Sequence, residues 1–103
     1  MASSAAPGGF PVVLMGTAAA VPASTAAATW QAPGLTSAVS ILNEGATDIY
    51  VYFTEADYVA NTRYWTVKPG IDEKRSEPAE VRCLWLLADA ADSEFEITWF
   101  MKR

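Results

Sequence analysis

The chain predicts an all-β fold: a small antiparallel β-sandwich or open barrel preceded by an extended N-terminal arm. Three observations predict it. Residues 37 to 103 carry five short runs of alternating apolar and polar residues, separated by Gly, Pro, Asn and Asp at turn positions. Nothing in that region sustains the 3.6-residue apolar period of a long helix. The first 43 of the 103 residues contain no charged side chain, so every Asp, Glu, Lys and Arg lies from Glu44 onward.

That partition divides the chain into residues 1–36, read as the arm, and residues 37–103, read as the sandwich domain. The arm is Ala, Ser, Thr, Pro and Gly with a few large apolar residues, a composition that buries too little surface to offset its own ordering entropy. Pro7, Pro11, Pro22 and Pro33 fix their own φ and push the residues before them toward extended backbone. Phe10, Val12, Val13, Leu14, Met15 and Trp30 are the anchors such an arm offers. They are expected to become ordered on neighbouring subunits, as an added strand or an apolar strap. The run Phe10 to Val21 has the length of a signal-peptide core, yet no basic residue precedes it and Gly16 and Pro22 interrupt it. It is also too short to span a bilayer, so no membrane partner is expected.

From residue 37 the elements follow in order. Ala38 to Leu42 alternates, and Asn43-Glu44-Gly45 is a turn signal that leads into Asp48 to Phe53. The two runs read as a hairpin, with Ile49, Val51 and Phe53 on one face and Tyr50 and Tyr52 on the other. Thr54 is placed to cap a short helical turn with Asp57 at its third position, and Tyr58 to Asn61 closes it. Tyr64 to Lys68 is a strand ended by Pro69-Gly70, and Ile71 to Glu80, rich in both signs of charge, reads as a solvated loop. Ala79 to Leu87 starts as an alternating strand, with Val81 and Cys83 inward, and turns apolar throughout at Leu84 to Leu87, which predicts cover on both faces. The last strand puts Phe95, Ile97, Trp99 and Met101 inward and Glu94, Glu96, Thr98 and Phe100 outward.

Composition narrows function more than it names it. Without histidine and with one cysteine, the chain has neither the usual general base nor a thiolate metal site, so no catalytic residue, cofactor or metal is expected. Asp89, Asp92, Ser93 and Glu94 lack the spacing and central glycine of a calcium loop. Twelve acidic residues against seven basic ones, a formal charge of −5, offer nucleic acid no surface from which to release counterions. A sandwich of about 65 residues is marginal on its own, because only about 60 % of its unfolded surface is buried at that size. Association is therefore expected, as a homo-oligomer, dimer or trimer. Four Trp, four Tyr and four Phe exceed what one small core takes, and Tyr50, Tyr52, Tyr64 and Phe100 are the candidates for a sheet-face interface.

The run from Ser37 to Phe53, the strand ending Val67-Lys68-Pro69-Gly70 and the closing Phe95-Glu96-Ile97-Thr98 together resemble small β-sandwich structural proteins of tailed-phage virions, of the capsid decoration or cement type. The resemblance covers about two-thirds of the chain. It departs in the longer charged segment 71–80 and in the apolar Leu84 to Leu87. It implies a non-enzymatic virion protein on the capsid surface, assembled in the host cytoplasm, that stabilises the shell through its arm and an aromatic sheet face. Its partners would be the major capsid protein or other virion proteins. A head-tail or tail component is the neighbouring role within that class. A carbohydrate-binding or host-adhesion module is the alternative from another class, with exposed tyrosines stacking on sugar faces.

Overall fold

Period-two alternation is enough to extend the backbone, and two such layers bury each other's apolar faces. The computed structural model describes residues 10–20, 28–75 and 82–101. Among the described residues the chain forms β1 (Phe10–Ala18), β2 (Thr29–Gln31), β3 (Thr36–Asn43), β4 (Ile49–Tyr52), α1 (Glu55–Ala60), β5 (Trp65–Val67), β6 (Asp72–Arg75), β7 (Cys83–Ala88) and β8 (Ser93–Met101). Sheet I runs in the order β1-β8-β3-β6 and sheet II in the order β2-β7-β4-β5, every pair antiparallel. The fold is the small all-β sandwich that the alternation predicts.

The core lies between the sheets. Val39 and Ile41 of β3 and Phe95, Ile97 and Trp99 of β8 face Ile49, Val51, Val67, Leu84 and Leu86 of sheet II. β8 has the inward residues read from its sequence, Met101 included. Thr54 caps α1 as expected, its hydroxyl accepting from the Asp57 amide at 3.1 Å, and Asn61 ends the helix in the left-handed conformation at φ 57°.

Connectivity departs from the expectation. Every link between successive strands except β4 to β5 passes from one sheet to the other. β3 and β4 are therefore not a hairpin: β3 pairs with β8 and β6, and β4 with β7 and β5. The turn between them is a corner. Part of the segment read as a solvated loop, Asp72–Arg75, is a strand on the edge of sheet I opposite Val39 to Leu42. There the Ser40 hydroxyl donates to the Asp72 carboxylate. Cys83 is not an inward residue either. Leu84, Leu86 and Ala88 fill the inner positions of β7, which leaves Cys83 half-buried on the outer face beside Trp85 and Leu87. The Val51 to Leu86 and Ile49 to Ala88 pairs set the phase of β7 from Cys83 onward, while Val81, read as inward, lies outside the described residues.

The largest difference concerns residues 1–36. Phe10–Ala18 pairs residue for residue with Met101 to Ser93, and Thr29–Gln31 pairs with Trp85 to Cys83. Two strands of the segment read as an arm thus lie in the chain's own sheets, one on an edge of each. Gly16 makes this possible. A Cβ there would lie 2.9 Å from Cζ of Phe95 and would overlap the Trp30 ring, which packs edge-on to Phe95 at 4.9 Å between centroids. The glycine lets Trp30 of β2 reach across and tie both N-terminal strands into the core.

Asn43 closes the corner where the sheets meet. Its backbone N–H donates to Ile71 O at 3.1 Å, and its carbonyl accepts from Gly70 N–H at 2.7 Å. Its side-chain Nδ2 donates to Thr47 O and Val67 O at 2.7 and 2.9 Å, while Oδ1 accepts from Gly45 N–H and the Ser93 hydroxyl at 3.0 and 2.8 Å. The residue is fully buried. Gly45 fits because a Cβ at that position would lie 2.8 Å from Cα of Ser93.

Asn43→Ala removes four hydrogen bonds, those to Val67 O and the Ser93 hydroxyl fully buried, at roughly 1 to 3 kcal/mol for each buried group left unsatisfied, so denaturant unfolding is expected to show a loss of at least about 2 kcal/mol. A loss below about 1 kcal/mol would mean that the corner holds without this side chain. Phe95→Ala removes a ring from the centre of the core and is expected to cost roughly 2 to 5 kcal/mol in the same measurement.

Candidate functional site

Two outer faces are available to a partner, and the sequence builds them differently. On sheet II, Tyr50 and Tyr52 of β4 stand opposite Leu87 and Trp85 of β7, which makes the outer face apolar as well as the inner one. The excursion through α1 folds back over it. Tyr58 of α1 packs edge-on against Tyr52 at 5.4 Å, and Tyr64, just before β5, meets Tyr50 and Tyr52 at 4.8 and 5.6 Å. The Tyr52 hydroxyl donates to Asn61 Oδ1, so the residue that ends the helix also anchors the tyrosine. The Tyr50 hydroxyl donates to the Asp89 carboxylate at 2.9 Å. Tyr52 is fully buried, Tyr50 is half-buried, and Tyr64 is 45 % exposed. These rings pack edge-on against one another and do not line an open groove.

On sheet I the outer face has no such cover at the β1 edge. Alternation along β1 sends Val12, Leu14, Gly16 and Ala18 inward, opposite Trp99, Ile97, Phe95 and Ser93, and sends Pro11, Val13, Met15 and Thr17 outward. Val13 is 52 % and Met15 69 % exposed, and Phe100 lies beside them between Pro11 and Ala38. Even the inward Leu14 is 38 % exposed, because the facing strand β2 is only three residues long. A shallow depression of about 280 Å³ lies at the far end of β1, lined by Met15, Gly16, Thr17, Phe95, Glu44 and Glu94.

The structure therefore redistributes the residues singled out in the sequence. Of the arm anchors, Val12 and Trp30 pack on the chain's own core, Val13, Leu14 and Met15 are exposed, and Phe10 opens β1 opposite Met101. Of the sheet-face group, Tyr50, Tyr52 and Tyr64 cluster on sheet II while Phe100 lies on the outer face of sheet I, on the opposite side of the sandwich. They do not form one surface. Pro11 is the addition that sequence reading missed: it belongs to the exposed row with Val13 and Met15. Because both faces of β1 are apolar, no polar alternation marks it. Its signal is large apolar side chains in a segment without charge.

Among the described residues no group of three or more Cys, Asp or Glu is placed to hold a metal ion. No described helix is long and apolar enough to cross a membrane.

The tyrosine cluster makes stability depend on pH in alkali. Burial, reinforced by the neighbouring Tyr64, Tyr50 and Tyr58, pushes the Tyr52 phenol from 10.0 up to about 12. Tyr50 is also raised, first by its hydrogen bond to Asp89 and then by burial. Between pH 10 and about 12 an unfolded chain has released the Tyr52 proton that the folded chain still holds, so stability falls as pH rises through that window. Melting temperatures measured across it should drop more steeply for the wild-type chain than for Tyr52→Phe, which has no proton to release. Parallel curves would show that Tyr52 does not carry the effect.

No protein-family model, curated protein or solved structure matches this chain.

Proposed function

We propose that the chain is a non-enzymatic structural subunit of a virion, of the capsid decoration or cement type, and that it joins the shell through the outer face of sheet I at β1. The exposed apolar row Pro11, Val13 and Met15, flanked by Phe100, carries this reading. A small domain that leaves such a row in water has an interface to fill, since apolar patches rimmed by polar residues mark association surfaces. Affinity there comes from buried apolar area, and no titratable group is called on. The sequence resemblance of Ser37 to Phe53, Val67 to Gly70 and Phe95 to Thr98 to tailed-phage virion proteins suggests the partner, the major capsid protein or a neighbouring virion protein. The outward acids of sheet I, Glu94 and Glu96, rim the row and keep the rest of that face solvated.

The geometry changes how the attachment works. An arm that only ordered on a partner would cost entropy at each binding event, whereas β1 is already held along its length by β8. The surface is preformed.

The test is attachment to shells purified from the virus or prophage that encodes the chain. Val13→Lys with Met15→Lys changes two outward, exposed side chains, so folding stability is expected to stay within roughly 0.5 kcal/mol per site. Co-sedimentation with shells is expected to be lost. Retention at wild-type occupancy would overturn the assignment of this face, and failure of the wild-type chain to sediment with any shell would overturn the virion reading.

A further inference from the structure

The four edges of the sandwich are protected unequally. Sheet II ends in β2 and β5, each three residues long, too short to template another strand. Sheet I ends on one side in β6, whose sequence is Asp72-Glu73-Lys74-Arg75, four consecutive charges of the kind that keep foreign strands off an edge. Its other edge is β1. That strand has nine residues, no charge, and one proline at its second position. In an antiparallel ladder with a single neighbour, alternate N–H and C=O groups of β1 point away from β8 and have no ladder partner among the described residues.

We infer that the β1 edge is a self-association site: two copies of this chain pair β1 against β1 in antiparallel fashion about a two-fold axis at Leu14, joining the two sheet I layers into one continuous sheet. Three observations select a second copy over an unrelated strand. First, the pairing is self-complementary. A two-fold sets each outward residue of β1 opposite an outward residue and each inward one opposite an inward one, so the exposed Val13 and Met15 rows of the two copies merge and the under-covered Leu14 gains an apolar neighbour. Second, net charge limits where two copies can meet. Each carries −5, and among the strand edges long enough to pair, β1 is the one with no charge on it. Third, the antiparallel sense keeps like charges apart. Glu44 and Glu94 lie at the Thr17 end of β1, so a two-fold places those of the partner toward the opposite end. From strand rise and spacing the two acidic groups are then about 20 Å apart. That is beyond the screening length of roughly 8 to 10 Å at ordinary salt.

The test uses the purified full chain, so it is independent of attachment to any shell and its failure leaves the proposed function standing. Light scattering should show the mass rising with concentration from 11.1 kDa to twice that value and no further. Amide exchange read residue by residue should show every β1 N–H protected in the dimer, whereas a monomer protects only the alternate ones that face β8. Val13→Lys, which adds a charge at the seam without touching the core, should return the mass to that of one chain while the β8-facing amides stay protected; that second readout separates lost pairing from lost folding. A mass of one chain at every concentration would overturn the inference. So would a dimer in which alternate β1 amides still exchange freely, or a trimer, because a two-fold edge pairing stops at two.

Discussion

The sandwich depends first on how its corner is closed. A chain that changes sheet at nearly every connection cannot rely on tight hairpins to fix register. It has to bury polar backbone where it turns from one layer into the other, and buried backbone groups need partners. Asn43 supplies them from a single side chain. It can donate and accept at the same time, and here it bonds Val67 at the end of β5, the Thr47 and Gly45 backbone of the turn, and Ser93 at the start of β8. An aspartate would lack the two donors and bring a buried charge; a leucine would make none of these four bonds. The requirement reaches further along the chain: Gly45 has room for no side chain beside Ser93, and Gly70 at φ +76° turns the chain so that its N–H meets the Asn43 carbonyl.

Fixed at that corner, β8 becomes the spine of sheet I, with β3 on one side and β1 on the other. This is why β1 belongs to the sandwich. Without β1, β8 would be an edge, and Ile97 and Trp99 would lose the Leu14 and Val12 neighbours that stand beside them. Trp30 adds a second tie from the opposite layer through its edge-on contact with Phe95. The core accepts a cost for its aromatic filling: the indole N–H of Trp99 is buried with no hydrogen-bond partner among the described residues. Such an orphan donor is worth roughly 1 to 3 kcal/mol of lost stability, comparable to what burying a large side chain contributes, so it is tolerable only in a ring that fills its site.

What the sequence made legible was faces, and what it concealed was partners. Period-two alternation says which side of a strand a residue lies on, and for β4 and β8 it placed Ile49, Val51, Phe95, Ile97 and Trp99 correctly. It says nothing of which strand lies alongside. The Asn43-Glu44-Gly45 turn therefore looked like a hairpin, although the same residues build an inter-sheet corner once the Asn43 side chain reaches Val67. β6 was hidden because an exposed edge strand tolerates, and benefits from, the charges that mark a loop. β1 and β2 were hidden for the opposite reason. Both faces of β1 are apolar, so alternation has no contrast to report, and Gly16, one of the small residues that marked the segment as an arm, is what permits the close approach of Trp30. The candidate surface suffered in the same way: the tyrosines were recognisable as a group, but α1, itself legible from Thr54, folds over them and turns most of the cluster inward.

The unequal edges also decide what kind of assembly the sheet permits. An open sheet with two pairing edges propagates without limit, since each added copy leaves another free edge behind it. Here a β1 edge meeting a β6 edge would build such a filament. The charged sequence of β6 opposes it, since a charged edge strand is a poor template for an uncharged one. β1 meeting β1 consumes the same edge on both copies and leaves only the charged β6 edges outward. In such a pair the long neutral strand of each copy is matched and closed by the other. Pro11 limits the strand at one end, having no N–H to offer a new ladder, and Ala18, where β1 ends, limits it at the other. A pair formed in this way turns the apolar outer row of one copy into a double row, a wider surface than either copy presents alone.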